Sequence, residues 1–171
     1  LALMHLHAAR LDAREDAAGG LLLLEEQDRT RWDRRAIGEG LAWLAASAEG
    51  TAFSRYHAEA GIAAEHALAP SFAATRWDRV AGLYAMLERQ APSMLHRLNR
   101  AVAVAEWQGP AAGLALLDGQ VPPTWLAGSY LWQAVLGDLH ARGGDGEAAR
   151  RHQAAALEAA PSPAIRALMA R

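Results

Sequence analysis

The stretch LWQAVLGDLHARGGDGEAARRHQAAALEAAP at residues 131–161 decides the fold of this chain. Apolar side chains recur in its first half at the three- and four-residue spacing of one helix face, and alanines do so in its second half. Gly143 and Gly144 separate the two halves. The pattern predicts two antiparallel helices joined by a tight turn. Because one hairpin cannot bury its own apolar face, we expect several hairpins to stack.

The same stretch has the small residues and the turn of a tetratricopeptide repeat. The positions that fit this pattern are Leu136, Gly137, Gly144, Ala149, Ala156, Leu157 and Pro161. Three positions that are usually aromatic are polar here, namely Gln133, His140 and Gln153. Residues 128–161 are therefore predicted to form the most tetratricopeptide-like hairpin of the chain.

Helix-forming residues dominate the whole chain, and β-branched residues are scarce. Turn-forming segments such as residues 12–20 and 119–123 separate the apolar stripes. We therefore predict an all-α fold of stacked antiparallel helical hairpins, a tetratricopeptide-like α-α superhelix. The 171 residues are enough for a single helical domain with its own core, spanning residues 1–171.

The composition excludes several classes of protein. Cysteine is absent, which excludes disulfides, thiolate metal ligands and cysteine nucleophiles. Hydrophobic residues make up 52% and charged residues 21%, which excludes intrinsic disorder, and no apolar run is long enough for a membrane span. The net charge of −2 gives no indication of nucleic-acid binding. The chain begins at Leu1 without a basic leader, so we expect a cytoplasmic fragment of a longer protein.

Motifs that carry catalysis are missing from the sequence. It has no GxSxG or SxxK nucleophile motif, no glycine-rich phosphate loop and no HExxH zinc motif. Histidine neighbours such as His5 and His7 are spaced for different faces of a helix, which is a poor arrangement for metal ligands. We therefore expect that the protein is not an enzyme and uses no metal or other cofactor.

The pentapeptide TRWDR occurs twice, at residues 30–34 and 75–79. Each copy fits a capping box, in which the threonine hydroxyl accepts from a first-turn N–H and the aspartate reaches back to the cap. The repeat therefore predicts that one helix begins near Thr30 and another near Thr75. We interpret it as a shared cap with a packing tryptophan, not as a duplicated site.

The first copy lies in a charged stretch, residues 25–35, that contains four acids, four arginines and one tryptophan. One interpretation is a capped helix start with local ion pairs and a buried indole. The other is a recognition surface, because arginine and tryptophan contribute much of the binding energy at interfaces. A nucleic-acid contact is disfavoured because acids alternate with the arginines. The candidate interface residues are Asp28, Arg29, Trp32 and Asp33.

A second candidate interface is the polar pair Asn99 and Arg100 within an otherwise apolar helical segment, residues 95–105. Asparagine is a poor helix former, so its presence there needs a reason. The alternative is that Asn99 bonds a neighbouring helix or loop.

Five stretches of the chain, taken together, resemble the helical C-terminal extension of one group of bacterial extracytoplasmic-function RNA polymerase sigma factors. They are LALMHLHAAR at 1–10, LLLLEEQDRTRWDR at 21–34, AGIAAEHA at 60–67, WDRVAGLYAML at 77–87 and LNRAVAVAEWQGPAAGLALLD at 98–118. They occur in the family's order and span nearly the whole chain. The sequence departs from the family at residues 57–59, which replace a Leu-Gln pair, and at Gln153, which replaces a tyrosine.

The resemblance implies a non-catalytic regulatory domain that controls transcription initiation. Its expected partners are the sigma domains of the same protein, the RNA polymerase core, or a regulatory protein. Promoter DNA would be bound by sigma domains upstream of Leu1, and no membrane partner is expected. The alternative is a sensor that binds a small molecule or peptide in a helical groove. The candidate groove residues are Tyr56, His66, Trp77 and Tyr84.

Overall fold

The computed structural model describes residues 1–50 and 52–171, which form α-helices and short 3₁₀ turns and contain no β-strand. The helices are α1 (Ala2–Ala8), α2 (Arg34–Ser47), α3 (Arg55–Leu68), α4 (Trp77–Gln90), α5 (Met94–Gln108), α6 (Pro110–Leu117), α7 (Thr124–Ala127), α8 (Tyr130–Arg142), α9 (Gly146–Glu158) and α10 (Pro163–Met169). Successive helices pack in pairs, α1 with α2, α3 with α4, α5 with α6 and α8 with α9. The predicted all-α fold of packed helical pairs is confirmed.

The chain divides into two compact units, Leu1–Ala91 with α1 to α4 and Pro92–Arg171 with α5 to α10. The assignment of residues 1–171 to one domain stays a prediction. Within the described part of the chain, no helix combines the length and the apolar character needed to cross a membrane.

The core of the first unit forms where α1 packs against both α2 and α3. Leu6 of α1 lies at its centre and contacts α2 at Gly40, where an added Cβ would come within 2.8 Å of the Leu6 Cγ. The face of α3 that includes Ala60, Ala63 and Ala67 is buried. Small residues on α2 and α3 therefore let the three helices approach closely.

The second unit is built around two helical hairpins, α5–α6 and α8–α9. In the first, α6 lies so close to α5 that a Cβ at Gly113 would come within 2.7 Å of the Ala101 carbonyl oxygen. In the second, Gly137 lies against Gln153, and Gly144 makes the turn with a φ of 86°, a conformation that favours glycine. This second hairpin occupies the stretch on which the prediction of the fold was based.

The expectation that both TRWDR copies form the same capping box is wrong. In the first copy, Asp33 is itself the N-cap of α2, and its carboxylate accepts from the N–H groups of Arg35 and Ala36. Thr30 lies one turn earlier, in the 3₁₀ turn Arg29–Arg31. The helix cannot begin there because Trp32 follows in an extended conformation that carries its side chain into the core.

In the second copy, α4 begins at Trp77 without a side-chain cap. The Thr75 hydroxyl donates to the carbonyl of Ser71 and does not accept from the first turn. Arg76 occupies the N-cap position, where it forms an ion pair with Glu65 of α3. Identical pentapeptides therefore adopt different structures because different tertiary partners hold them.

Candidate functional site

The segment before α2 is held against the first unit by backbone hydrogen bonds. The N–H of Leu22 donates to the carbonyl of Arg14, and Leu21 forms an isolated antiparallel bridge with Glu15. The N–H of Asp33 donates to the carbonyl of Ala9, at a distance of 2.9 Å, just after α1 ends. These contacts fix both ends of the segment, so that the residue before Asp33 turns inward.

That residue is Trp32, which is 3% exposed and lies between charged side chains. The guanidinium of Arg29 is 4.6 Å from the centroid of the Trp32 ring, and the guanidinium of Arg10 is 5.2 Å from it. Both distances are within the range of a cation–π interaction. The indole therefore has two cations at its surface in an otherwise apolar core.

Arg29 also caps the C-terminal end of α3. Its Nη1 donates to the carbonyls of His66 and Ala69, the latter at 2.9 Å. The last carbonyls of a helix have no partner within the helix and carry partial negative charge, so a guanidinium is a favourable cap. One side chain thus connects the charged segment, the indole and the end of α3.

Arg10, Arg29, Trp32 and His66 form a cluster whose surroundings are unfavourable for charge. Burial lowers the pKa of Arg10 to about 10, with the charges of Arg14 and Arg29 adding to the effect. Burial lowers the pKa of His66 to about 4, and the charges of Arg10 and Arg29 add to it. At neutral pH the Arg10 guanidinium is therefore charged and the His66 imidazole is neutral.

Several buried polar atoms of the cluster have no hydrogen-bond partner among the described residues. They are Nη2 of Arg29, Nε1 of Trp32 and Nδ1 of His66. Buried N–H groups are nearly always satisfied in proteins, and leaving one unpaired costs roughly 1–3 kcal/mol. Nη2 of Arg29 and Nε1 of Trp32 are thus buried hydrogen-bond donors that could each bind an acceptor.

The structure separates the first set of predicted interface residues into buried and exposed members. Arg29 is 9% exposed and Trp32 is buried, so their side chains lie beneath the surface and are not part of it. Asp28 and Asp33 are exposed and cap the turn and the helix that follow them. The hydroxyl and the N–H of Thr30 donate to Asp28 and lower the pKa of its carboxyl. The predicted buried indole is confirmed, and the predicted interface stays a prediction.

Three exposed arginines lie next to these aspartates. Arg31 donates to the carbonyls of Asp12 and Glu15, and Arg35 pairs with Glu39 one turn along α2. The third, Arg34, extends into solvent at the start of α2. The accessible part of the patch therefore mixes both signs of charge.

The second predicted pair, Asn99 and Arg100, lies half-buried on α5 in the second unit. The predicted interface at this pair and its alternative, a bond from Asn99 to a neighbouring helix or loop, both stay predictions.

The predicted groove residues lie along α3 and α4 of the first unit. His66 and Trp77 touch edge to face with their ring centroids 5.3 Å apart. Burial, with the nearby charge of Glu59, raises the pKa of Tyr84 to about 12. Tyr56 is 58% exposed and lies beneath Arg55.

The open clefts of the described residues include one in each unit, and none of the four groove residues lines either of these two. The cleft in the first unit is lined by Leu11, Asp12, Glu15, Asp16 and Arg31. The cleft in the second unit is lined by Ala127, Gly128, Gln133, Ala155, Glu158 and Ala159. The contact between the rings of His66 and Trp77 brings two of the four predicted groove residues together.

Sequence reasoning missed Arg10 and Gln27 as members of the cluster. Gln27 is buried and its Oε1 accepts from Nε of Arg10 at 3.3 Å. The sequence does indicate that Arg10 faces the core, because it follows Leu3 and Leu6 at helical spacing on the apolar side of the first helical segment. No comparable signal marked Gln27, which stands in the middle of the charged stretch.

Comparison with known proteins gives two matches. Residues 1–48, which include Arg10, Arg29 and Trp32, match the model of a family of unknown function, DUF6596. An uncharacterized protein of Rhizobium meliloti (strain 1021) is 43% identical over 117 residues, or 68% of this chain. The matched segment covers only 28% of the length of that relative. No solved structure matches the chain.

Proposed function

We propose that this chain is the helical C-terminal extension of a bacterial extracytoplasmic-function sigma factor. In this proposal it acts in the cytoplasm as a non-catalytic regulatory domain. It controls transcription initiation through contacts with the sigma domains of the same protein, with RNA polymerase core or with a regulatory protein. Promoter DNA is bound by the sigma domains and not by these residues.

The observation that carries the proposal is the ordered set of five stretches that resemble this extension. Each stretch coincides with an element that forms the core of a unit. Residues 1–10 include α1, residues 21–34 include Trp32, and residues 60–67 include the buried alanine face of α3. Residues 77–87 lie in α4, and residues 98–118 include most of the α5–α6 hairpin. The resemblance therefore concerns residues that determine packing, which supports a shared fold.

The long relative is compatible with this proposal. The matched segment is a minor part of that protein, as an extension of a larger protein would be. The proposal itself rests on the five stretches.

The most suitable contact surface in the proposal is the exposed part of the charged segment. Asp28 and Asp33 flank the buried Arg29 and Trp32, which hold the backbone between the two aspartates in place. A surface with a fixed backbone loses little conformational freedom on binding. Its mixed charges favour a protein partner over nucleic acid, since phosphates select for arginine and lysine without acids.

The test removes charge from this surface without removing the caps. In the complete sigma factor, Asp28→Asn with Asp33→Asn keeps an oxygen at each capping position, because asparagine is an equally good N-cap residue. Promoter-dependent transcription with RNA polymerase core, and association with the separate sigma domains, are measured. We expect both to change by several-fold.

The matched control is Asp78→Asn, which makes the same change in the second TRWDR copy. Asp78 is also exposed, and it caps no helix. It should leave transcription unchanged. Equal behaviour of the double variant, the control and the original protein would exclude the patch. A complete protein that supports no promoter-dependent transcription would refute the proposed function.

The sensor with a groove of Tyr56, His66, Trp77 and Tyr84 is the alternative, and none of these residues lines either of the two clefts described above. It stays a prediction.

A further inference from the structure

The first unit contains a group of arginines without acidic partners. Within the described part of the chain, Arg10, Arg14, Arg29 and Arg34 form no ion pair with any carboxylate. Other arginines of the same unit do so, for example Arg35 with Glu39. Arg10 and Arg29 are held near each other by their shared contact with the ring of Trp32.

The cluster has unused hydrogen-bond donors on its buried side. Nη1 of Arg29 is occupied by two carbonyls, but its Nη2 is buried and has no partner. Nε1 of Trp32 is likewise buried and has no hydrogen-bond partner among the described residues. Arg29 itself is only 9% exposed. A buried cation with an unpaired N–H is among the least favourable states of a side chain.

Arg10 and Arg14 are more accessible to solvent than Arg29. Arg10 is half-buried and makes one side-chain hydrogen bond, a long one of 3.3 Å from its Nε to Gln27. Its two Nη groups are therefore available. Arg14 is exposed, and its charge contributes to the low pKa of Arg10. Arg10 and Arg14 are therefore the members of this group that an anion from solvent can reach.

We propose that Arg10, Arg14, Arg29 and Trp32 form a binding site for a small divalent oxyanion, of which inorganic phosphate is the simplest example. Such an ion would offset the repulsion between neighbouring guanidiniums. The planar fork of a guanidinium matches two oxygens of a phosphate, which a halide ion cannot provide. A second charge distinguishes a phosphate from a carboxylate where two cations face the same ion.

The site goes beyond the regulatory function proposed above and does not depend on it. It also differs from the predicted groove, since Tyr56, Trp77 and Tyr84 take no part. The chain itself, residues 1–171, is sufficient for the test.

The experiment is calorimetric titration of sodium phosphate into the chain at neutral pH and constant ionic strength. Sodium chloride and sodium acetate serve as reference ions. We expect saturable binding of phosphate, a matching rise in the thermal midpoint, and neither effect with chloride. Acetate distinguishes the divalent from the monovalent oxyanion, and binding equal to that of phosphate would refute the proposed preference.

Arg10→Met removes the partly exposed guanidinium and keeps much of the apolar stem. It should weaken phosphate binding by about tenfold or more, as expected for the loss of a charged hydrogen bond. Arg14→Met is a second variant at an exposed position that tolerates substitution, and it should weaken binding to a smaller extent. Circular dichroism establishes that each variant is folded.

The control is Arg89→Met, which removes an exposed arginine roughly three turns along α4 from Trp77. It should bind phosphate like the original chain. Two results would overturn the proposal: the absence of saturable phosphate binding, or an equal loss in the Arg10 and Arg89 variants, which would show a nonspecific effect of net charge.

Discussion

Arg76 donates two hydrogen bonds to the carboxylate of Glu65, at 2.7 Å from Nε and 3.0 Å from Nη2. Glu65 is on the last turn of α3 and is 9% exposed, whereas Arg76 precedes α4 and is largely exposed. The pair therefore connects the end of one helix to the start of the next across the connecting loop. Arg76 is also the N-cap residue of α4. Because its side chain only donates hydrogen bonds and is bonded to Glu65, this helix begins without a side-chain cap.

Glu65→Gln should lower the free energy of unfolding by about 1–2 kcal/mol, because a charged bidentate contact with a buried partner is lost. The value lies below that of a fully buried pair since Arg76 is well solvated. Urea unfolding provides the measurement. Glu147→Gln is the control, because the exposed pair of Glu147 with Arg151 contributes about 0.5 kcal/mol or less. Similar losses at both positions would contradict the assignment.

Stability should depend on pH through His66. Its folded pKa of about 4 lies below the ordinary value of 6.5, so between these values the unfolded chain binds the proton more strongly. The contribution of neutral His66 to the free energy of unfolding is therefore complete above pH 6.5 and is lost as the pH falls toward 4. The loss amounts to roughly 3 kcal/mol at most.

The measurement is the unfolding free energy across this pH range for the original chain and for His66→Asn. The variant keeps the backbone carbonyl to which Arg29 donates. The difference between the two proteins should shrink steadily with acidification. A difference that stays constant with pH would show that His66 titrates normally in the folded chain.

Close helix packing predicts opposite effects for two glycine substitutions. Gly113→Ala would place a Cβ within 2.8 Å of the Ala105 Cβ and should lower stability by about 1–3 kcal/mol, since α5 and α6 must move apart. Gly82→Ala, at an exposed position of α4 with open space around it, should raise stability by up to about 1 kcal/mol. Thermal unfolding of both variants tests the prediction, which fails if the two changes have the same sign.

The two TRWDR copies provide a matched test of capping. Asp33→Ala should cost about 1 kcal/mol, because Asp33 accepts two hydrogen bonds at the start of α2. Asp78→Ala should cost about 0.5 kcal/mol or less, since Asp78 only adds favourable charge to the first turn of α4. Denaturant unfolding measures both. Equal costs would indicate that the two copies share a cap after all.

The tryptophan of the first copy shows how far the sequence leads toward the candidate site. The position of Trp32 within a charged stretch allowed either a buried indole or an exposed recognition residue. The choice depended on Ala9, whose carbonyl binds the N–H of Asp33, and on Arg10, which approaches the ring. Neither contact leaves a local pattern, because both join parts of the chain more than twenty residues apart.

The hydrophobic periodicity, the scarcity of β-branched residues and the positions of glycine and proline were sufficient to determine that this protein is made of paired helices. These are local properties, and helix formation is governed by local spacing. The tertiary structure alone decided where two helices start within identical pentapeptides. The tertiary structure alone also decided that Arg29 caps α3, from which it is distant in sequence. It alone left hydrogen-bond donors of Arg29 and Trp32 buried without a partner among the described residues. These outcomes depend on long-range contacts and burial, whose energies exceed those of a local cap.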